Sequence, residues 1–193
     1  MTFNGFIKTD LVNYPGKVAA TVFTQGCNFR CPYCHNPQLV ECTTTESYQD
    51  TEIIDYLLSR RTFIEGFVIS GGEPTLHREL PDFIMQVKSL GFSIKLDTNG
   101  SNPEMLNTLI QNNMLDYVAM DLKAPFEKYC LLGCSDTSGI QESMKVLRAS
   151  AISYEFRTTC VKEFLSEEDK NKLQLNQNEN KKNINNVNKS SDS

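Results

Sequence analysis

Short apolar runs alternate with amphipathic stretches along most of the chain. The runs are rich in β-branched and aromatic residues and end at glycine or polar turns, which is typical of buried strands. Five such strands are predicted, at 18–24, 67–70, 92–97, 118–122 and 154–161, with amphipathic helices near 45–61, 79–90, 103–113 and 138–150. A parallel connection between strands needs a crossover helix, so the alternation predicts an α/β protein with a parallel sheet.

The pattern changes at the C-terminal end. From Asn171 onward the chain is rich in asparagine and lysine and carries few large apolar side chains. A segment of this kind buries too little surface to offset the entropy lost on ordering. We therefore predict a folded domain over 1–170 and a disordered tail over 171–193, with a short helix beginning near Ser166 that fades into the tail.

Charge and hydropathy narrow the class of protein. The net charge of −5 argues against a general nucleic-acid binder, which needs a basic face. No stretch approaches the roughly 18 apolar residues of a membrane helix, and the N-terminus lacks the plan of a signal peptide. We expect a cytoplasmic protein whose seven cysteines stay reduced.

Three of these cysteines form a tight cluster directly after the first predicted strand. Cys27, Cys31 and Cys34 have the spacing C-x3-C-x2-C. Three thiolates fit three corners of a four-iron four-sulfur cluster and leave one iron open for a ligand. The alternative is a zinc site completed by His35, although zinc ligands usually come as two separated pairs. The remaining Cys42, Cys130, Cys134 and Cys160 are scattered, and we expect them to be ordinary buried thiols rather than ligands.

Polar clusters also follow the other predicted strands. They are Gly71-Gly72-Glu73-Pro74, Asp97-Thr98-Asn99-Gly100, the pair Asp121 and Lys123, and Arg157. The carboxyl ends of parallel strands meet at one edge of a sheet, so these clusters predict a single site. Taken one at a time, each has a plainer explanation: the glycine motifs suit turns, the acid and base suit an ion pair on the rim, and the arginine suits a surface charge.

The cysteine spacing, with Tyr33 just before the third cysteine, resembles the signature of the radical S-adenosylmethionine (radical SAM) superfamily. The resemblance implies a partial (β/α) barrel in which the open iron binds S-adenosylmethionine and the reduced cluster cleaves it to methionine and a 5′-deoxyadenosyl radical. It also implies that Gly71, Gly72 and Glu73 bind the amino group of the cofactor. Further cofactor contacts are expected from Tyr33, Asp97, Thr98, Asn99, Asp121, Lys123 and Arg157, and the Asp97-Thr98 pair is expected to help hold a monovalent cation.

Over residues 3–168 the chain is most similar to the activating proteins of anaerobic ribonucleoside-triphosphate reductase, above all in FTQGCNFRCPYCHNPQLV. Such glycyl-radical activases abstract hydrogen from a backbone glycine of a partner enzyme and take electrons from a flavodoxin or ferredoxin. Only Cys42 lies between Cys34 and Gly71, so a single cluster is expected. Relatives continue into a sixth strand, which this chain is predicted to lack. Two alternatives stay open, a radical SAM enzyme acting on a small molecule, such as a deazapurine-forming synthase, and a truncated, inactive iron-sulfur module.

Overall fold

Strands and helices alternate along residues 1–178, which are the residues described by this computed structural model. The strands are β1 Thr2–Phe3, β2 Phe6–Asp10, β3 Ala19–Thr24, β4 Tyr48–Gln49, β5 Gly66–Gly71, β6 Ser93–Thr98, β7 Tyr117–Asp121 and β8 Ser153–Arg157. The α-helices are α1 Pro37–Val40, α2 Asp50–Ser59, α3 Leu80–Ser89, α4 Pro103–Gln111, α5 Ser138–Ala149 and α6 Glu167–Asn178. Two 3₁₀ segments cover Pro74–Leu76 and Phe126–Leu132. Among the described helices, none combines the length and apolar character needed to cross a membrane.

One six-stranded sheet dominates the fold, with the order β2-β3-β5-β6-β7-β8. The five strands from β3 to β8 pair in parallel, as predicted, whereas β2 pairs with β3 in the antiparallel sense. The sheet therefore has a sixth strand, but it lies at the N-terminal edge. Its sequence FIKTD is too short and too polar to be predicted as a buried strand. The described chain continues past β8 into helix α6, and the open, mostly parallel sheet agrees with the predicted partial barrel.

The two faces of the sheet differ in character because successive side chains point to opposite sides. On one face, residues such as Val22, Ile69 and Leu96 pack with the leucines of the helices into the main core. On the other face a small apolar group contains Ala19, Val68 and Tyr14. Lys95, Asp97 and Asp121 alternate with the core residues of β6 and β7, so they belong to this second face. The charged groups of the site thus lie opposite the helix-covered core.

The predicted tail boundary at residue 171 is wrong. Helix α6 runs from Glu167 to Asn178, and Leu173 is only 3% exposed within the main core. The helix begins with reciprocal hydrogen bonds between Ser166 and Asp169, and Lys128 pairs with the Asp169 carboxylate at 2.5 Å. One buried leucine in an otherwise polar helix gives almost no periodic signal, which explains the error. The rest of the predicted tail, 179–193, lies outside the described residues.

Candidate active site

The structure brings all the predicted site residues together around one cavity of about 640 Å³. The cavity lies at the carboxyl ends of β3, β5, β6, β7 and β8. Its predicted members are Cys27, Cys31, Tyr33, Cys34, Gly71, Gly72, Glu73, Asp97, Thr98, Asn99, Asp121, Lys123 and Arg157. Clusters that are far apart in sequence therefore face one volume, as expected for a parallel sheet.

The cysteine loop connects β3 to α1. Its three cysteines are free and half-buried. The loop is held by hydrogen bonds from the Gly26 amide to the Leu39 carbonyl at 2.8 Å and from the Arg30 amide to the Leu132 carbonyl at 2.7 Å. Burial raises the pKa of Cys27 and raises that of Cys31 to about 11. Because burial disfavours the thiolate, a positively charged metal group is the natural partner for these side chains.

The zinc alternative is not supported by the arrangement of these groups. Within residues 1–178, no three Cys, His, Asp or Glu side chains converge in the way that one metal ion requires. A closed Cys3His shell of Cys27, Cys31, Cys34 and His35 is therefore not formed in this part of the chain. The ligands of an iron-sulfur cluster bind separate irons, so they need not converge on one point.

The expectation for the other cysteines is partly wrong. Cys42, Cys130 and Cys160 are exposed and Cys134 is half-buried, so they are not the buried small hydrophobes that were predicted. Each lies in a loop, in a short 3₁₀ segment or beside one, where the chain stays near the surface. None of them lines the cavity.

The two glycines after β5 allow the backbone to pack against the segment before the cysteines. The Gly72 amide donates to the Thr24 carbonyl at 2.9 Å, and the Glu73 amide donates to the Gly26 carbonyl at 2.8 Å. A Cβ atom at Gly71, where φ is 123°, would overlap the Thr24 backbone, and one at Gly72 would overlap the Gly26 carbonyl. These contacts require glycine at both positions and fix the start of the cysteine loop.

Glu73 is fully buried and satisfied by the protein itself. Its Oε1 accepts from the Thr75 amide at 3.1 Å, the Thr75 hydroxyl at 2.5 Å and the Thr98 hydroxyl at 2.7 Å, and its Oε2 accepts from the Asn99 amide at 2.6 Å. Burial raises the pKa of Glu73, while these hydrogen bonds act in the opposite direction. The carboxylate thus ties the ends of β5 and β6 together. This arrangement gives Glu73 an organising role, and its predicted contact with the cofactor amine stays a prediction.

Asp97 is already neutralised by side chains of the protein. Its Oδ1 forms ion pairs with the fully buried Lys95 ammonium and with Arg157 Nη2, the latter at 3.5 Å. The neighbouring Thr98 hydroxyl donates to Glu73 and accepts from the Gly100 amide at 3.0 Å. These groups do not fit the monovalent cation that was expected at Asp97 and Thr98.

A second acid and base complete the charged network. Asp121 accepts from Lys123 Nζ at 2.8 Å and from Arg157 Nε at 3.0 Å. Burial would raise the pKa of Asp121, but the two cations outweigh it and hold that pKa below the usual value. The plainer explanation of an ion pair is therefore correct in part, because the pair exists and also lines the cavity. Arg157 is not an isolated surface charge, since it bridges Asp97 and Asp121.

Tyr33 forms part of the cavity wall and is firmly positioned. Its hydroxyl donates to the Lys123 carbonyl at 2.6 Å, and its ring centroid lies 5.0 Å from that of Phe164. Burial raises the pKa of its hydroxyl, so the group stays protonated as a donor. The same lysine donates its amide to the Tyr129 hydroxyl at 3.0 Å. Tyrosines therefore hold both backbone groups of Lys123.

Several cavity residues were not among those predicted to contact the cofactor or to hold the iron-sulfur cluster. They are Phe29, His35, Asn36, Val40, Ser70, Thr158 and Thr159. Most adjoin a predicted motif in the sequence, so widening each motif by two residues finds them. Lys95, which pairs with Asp97 beside the cavity, was also missed. A lysine inside an otherwise apolar strand was the available signal, because lysine is almost never fully buried unless it is paired.

Comparison with known proteins assigns the family. Residues 21–161 match the model of the Radical SAM superfamily. The chain belongs to this superfamily. A protein of Methanocaldococcus jannaschii, classed among the glycyl-radical enzyme activating enzymes, is 36% identical over 178 residues, which cover 86% of this chain and 71% of the relative. Within the superfamily, the chain is thus related to the glycyl-radical enzyme activating enzymes.

The chain is also similar to a synthase over a shorter segment and to a solved structure over most of its length. The 7-carboxy-7-deazaguanine synthase of Aquifex aeolicus is 36% identical over 77 residues, covering 40% of this chain and 34% of that protein. The crystal structure of a radical SAM methyltransferase from Sphaerobacter thermophilus superposes with a TM-score of 0.64 at 16% identity, covering 83% of this chain and 53% of the other. At this level of identity, the superposition shows a common fold.

Proposed function

We propose that this chain holds one four-iron four-sulfur cluster on Cys27, Cys31 and Cys34 and uses S-adenosylmethionine to place a glycyl radical on an anaerobic ribonucleoside-triphosphate reductase. The observation that carries the proposal is that the three thiols and every strand-end motif line one cavity. Three thiols leave one corner of such a cluster without a protein ligand, which is the arrangement needed to bind a cofactor. The cavity volume of about 640 Å³ suits a small-molecule site.

The residues around the cavity have separable tasks in this proposal. The bound cluster would supply one electron, and the 5′-deoxyadenosyl radical would come from the cofactor. Lys123 and Arg157 would offer positive charge to the cofactor carboxylate, with Tyr33 as an aromatic wall. Glu73 holds the loop ends in register and so keeps the cofactor-facing backbone in place.

The choice of partner rests on relatives rather than on the cavity. The Methanocaldococcus jannaschii relative is classed with glycyl-radical activating enzymes, and the match covers 71% of its length. The cysteine loop also resembles that of the activators of ribonucleotide reductase, and this resemblance is the basis for proposing the reductase as the partner. We extend the proposal to an electron donor of the flavodoxin or ferredoxin type and to a cytoplasmic location, where the seven free cysteines stay reduced.

The test is anaerobic reconstitution with iron and sulfide, followed by assays for bound metal and for 5′-deoxyadenosine. The wild type should bind about four irons per chain. Alanine at Cys27, Cys31 or Cys34 should remove the iron, whereas Cys130→Ala, at an exposed thiol away from the cavity, should leave it unchanged. Stoichiometric zinc without iron would contradict the cluster. Iron without 5′-deoxyadenosine would favour the inactive module.

A small-molecule substrate is the second candidate, because the Aquifex aeolicus synthase shares 36% identity over 77 residues. The two candidates separate when the reconstituted protein is incubated with S-adenosylmethionine and either the reductase or a small-molecule precursor of a deazapurine. A glycyl-radical signal in the electron paramagnetic resonance spectrum of the reductase would identify an activase. A deazapurine product without that signal would identify a synthase.

A further inference from the structure

The charged face of the sheet contains a lysine, Lys95, to which the proposed function assigns no role. Lys95 is fully buried on β6, two residues before Asp97 on the same strand. Side chains two residues apart in a strand point to the same face, so the ammonium lies against the Asp97 carboxylate. A buried ammonium needs a paired anion, and Asp97 is its ion-pair partner.

The position of this ammonium bears on the cation predicted at Asp97 and Thr98. A metal ion there would need oxygen ligands from both side chains. Asp97 Oδ1 already contacts Lys95 and Arg157, and the Thr98 hydroxyl donates to Glu73. A further cation would also lie close to two positive charges, in a buried place where repulsion is strong.

We propose that the Lys95 ammonium takes the place of a monovalent metal ion beside Asp97, so that this protein binds its cofactor without such an ion. Lys95 and Arg157 together neutralise Asp97, and Arg157 extends the charge to Asp121. Lys95 is a positioning residue, because it keeps Asp97 and Arg157 in place at the cavity wall without lining the cavity itself. The inference rests on the proposed function for the identity of the cofactor.

The first experiment compares salts of equal ionic strength. Thermal unfolding of the full chain and calorimetric binding of S-adenosylmethionine to the reconstituted protein are measured in potassium, sodium and choline chloride. The wild type should show the same melting midpoint and the same affinity in all three. An affinity that rises about tenfold or more when sodium or potassium replaces choline would overturn the proposal.

The variant Lys95→Met removes the ammonium and keeps a side chain of similar length. Asp97 is then paired with Arg157 alone, so the binding of a small metal cation beside Asp97 becomes more favourable. The melting midpoint of this variant should be higher in potassium or sodium chloride than in choline chloride. Equal midpoints in the three salts, whether at the wild-type value or below it, would show that Lys95 does not replace an ion.

Two further variants test whether the charge on Asp97 is the cause of the salt dependence. The double variant Lys95→Met with Asp97→Asn removes both charges and should recover stability with no preference among the salts. If it is no more stable than Lys95→Met, the charge on Asp97 is not the cause and the proposal is wrong. Lys88→Met breaks the exposed pair with Asp116, at 3.0 Å, and is the matched control that should show no difference among the salts.

The melting experiments need neither cluster nor cofactor, so they separate this inference from the proposed function. A protein that fails to bind S-adenosylmethionine in every salt, yet shows the expected melting pattern for Lys95→Met, would contradict the proposed function alone. A wild type that binds the cofactor only with potassium or sodium would contradict the inference alone.

Discussion

The packing of α6 gives a direct test of the described structure against the disordered tail predicted from composition. Leu173 is 3% exposed, whereas Leu175 on the same helix is 67% exposed. Replacing either leucine with alanine removes the same atoms and changes helix propensity equally. The difference between the two variants therefore measures burial at Leu173.

The expected magnitudes follow from that burial. A buried Leu→Ala change costs about 2–5 kcal/mol, and an exposed one lies within about 0.5 kcal/mol of zero. Leu173 packs at the edge of the core near the end of the described chain, where neighbours relax more easily, so we expect about 2–3 kcal/mol. With about 2–4 °C per kcal/mol for a chain of this length, Leu173→Ala should lower the melting midpoint by about 4–12 °C. Leu175→Ala should lower it by less than about 2 °C.

Differential scanning calorimetry and urea unfolding of the full-length variants supply the measurement. Hydrogen exchange adds a local readout, because Gln177 Nε2 donates to the Thr158 hydroxyl at 3.1 Å and so links α6 to the cavity. Faster exchange around Thr158 is expected in Leu173→Ala alone. Equal and small effects of both substitutions would refute the packing of α6 and restore the predicted tail from residue 171.

Two further substitutions probe the cavity wall. Gly72→Ala places a Cβ on the Gly26 carbonyl, so reconstitution should yield clearly less iron per chain than in the wild type; full iron content would show that the two loops need not pack closely. Tyr33→Phe keeps the ring but loses the hydrogen bond to the Lys123 carbonyl, which should cost about 0.5–1.5 kcal/mol of unfolding free energy with unchanged iron content. Loss of iron in Tyr33→Phe would mean that the hydroxyl supports the cluster loop more directly than this contact implies.

The fold was predictable where the hydrophobic period was strong. All five parallel strands are observed, because buried parallel strands read as continuous apolar runs. The antiparallel strand Phe6–Asp10 was missed because its side chains are mostly half-buried or exposed, and its pairing with β3 is a long-range contact that local pattern does not record. The predicted C-terminal helix is shorter than the observed α6 for a similar reason. Leu173 is buried by tertiary packing, and the hydrophobic period of its own segment does not indicate this.

Which residues form the site was more predictable from the sequence than what each of them contacts. Motifs at the carboxyl ends of parallel strands meet, so their shared cavity follows from topology. Whether a side chain faces a ligand or the protein depends on neighbours that lie far away in sequence. Glu73 illustrates this point, because two of its donors, Thr98 and Asn99, lie on the next βα unit. No spacing within the GGEP motif contains that information.

The charged side chains on this face of the sheet lie in pairs of opposite charge. Lys95 and Asp97 are opposite charges two residues apart on β6, so they share a face of that strand, whereas Lys123 follows the end of β7 and pairs with Asp121, the last residue of that strand. Arg157 is the register partner of Asp121 on the neighbouring strand and contacts the acids of both pairs. The network of these residues therefore holds three cations against two carboxylates, and the Glu73 carboxylate lines the same cavity. The charges beside the cavity are thus compensated mainly by other side chains of the protein, as buried charges require.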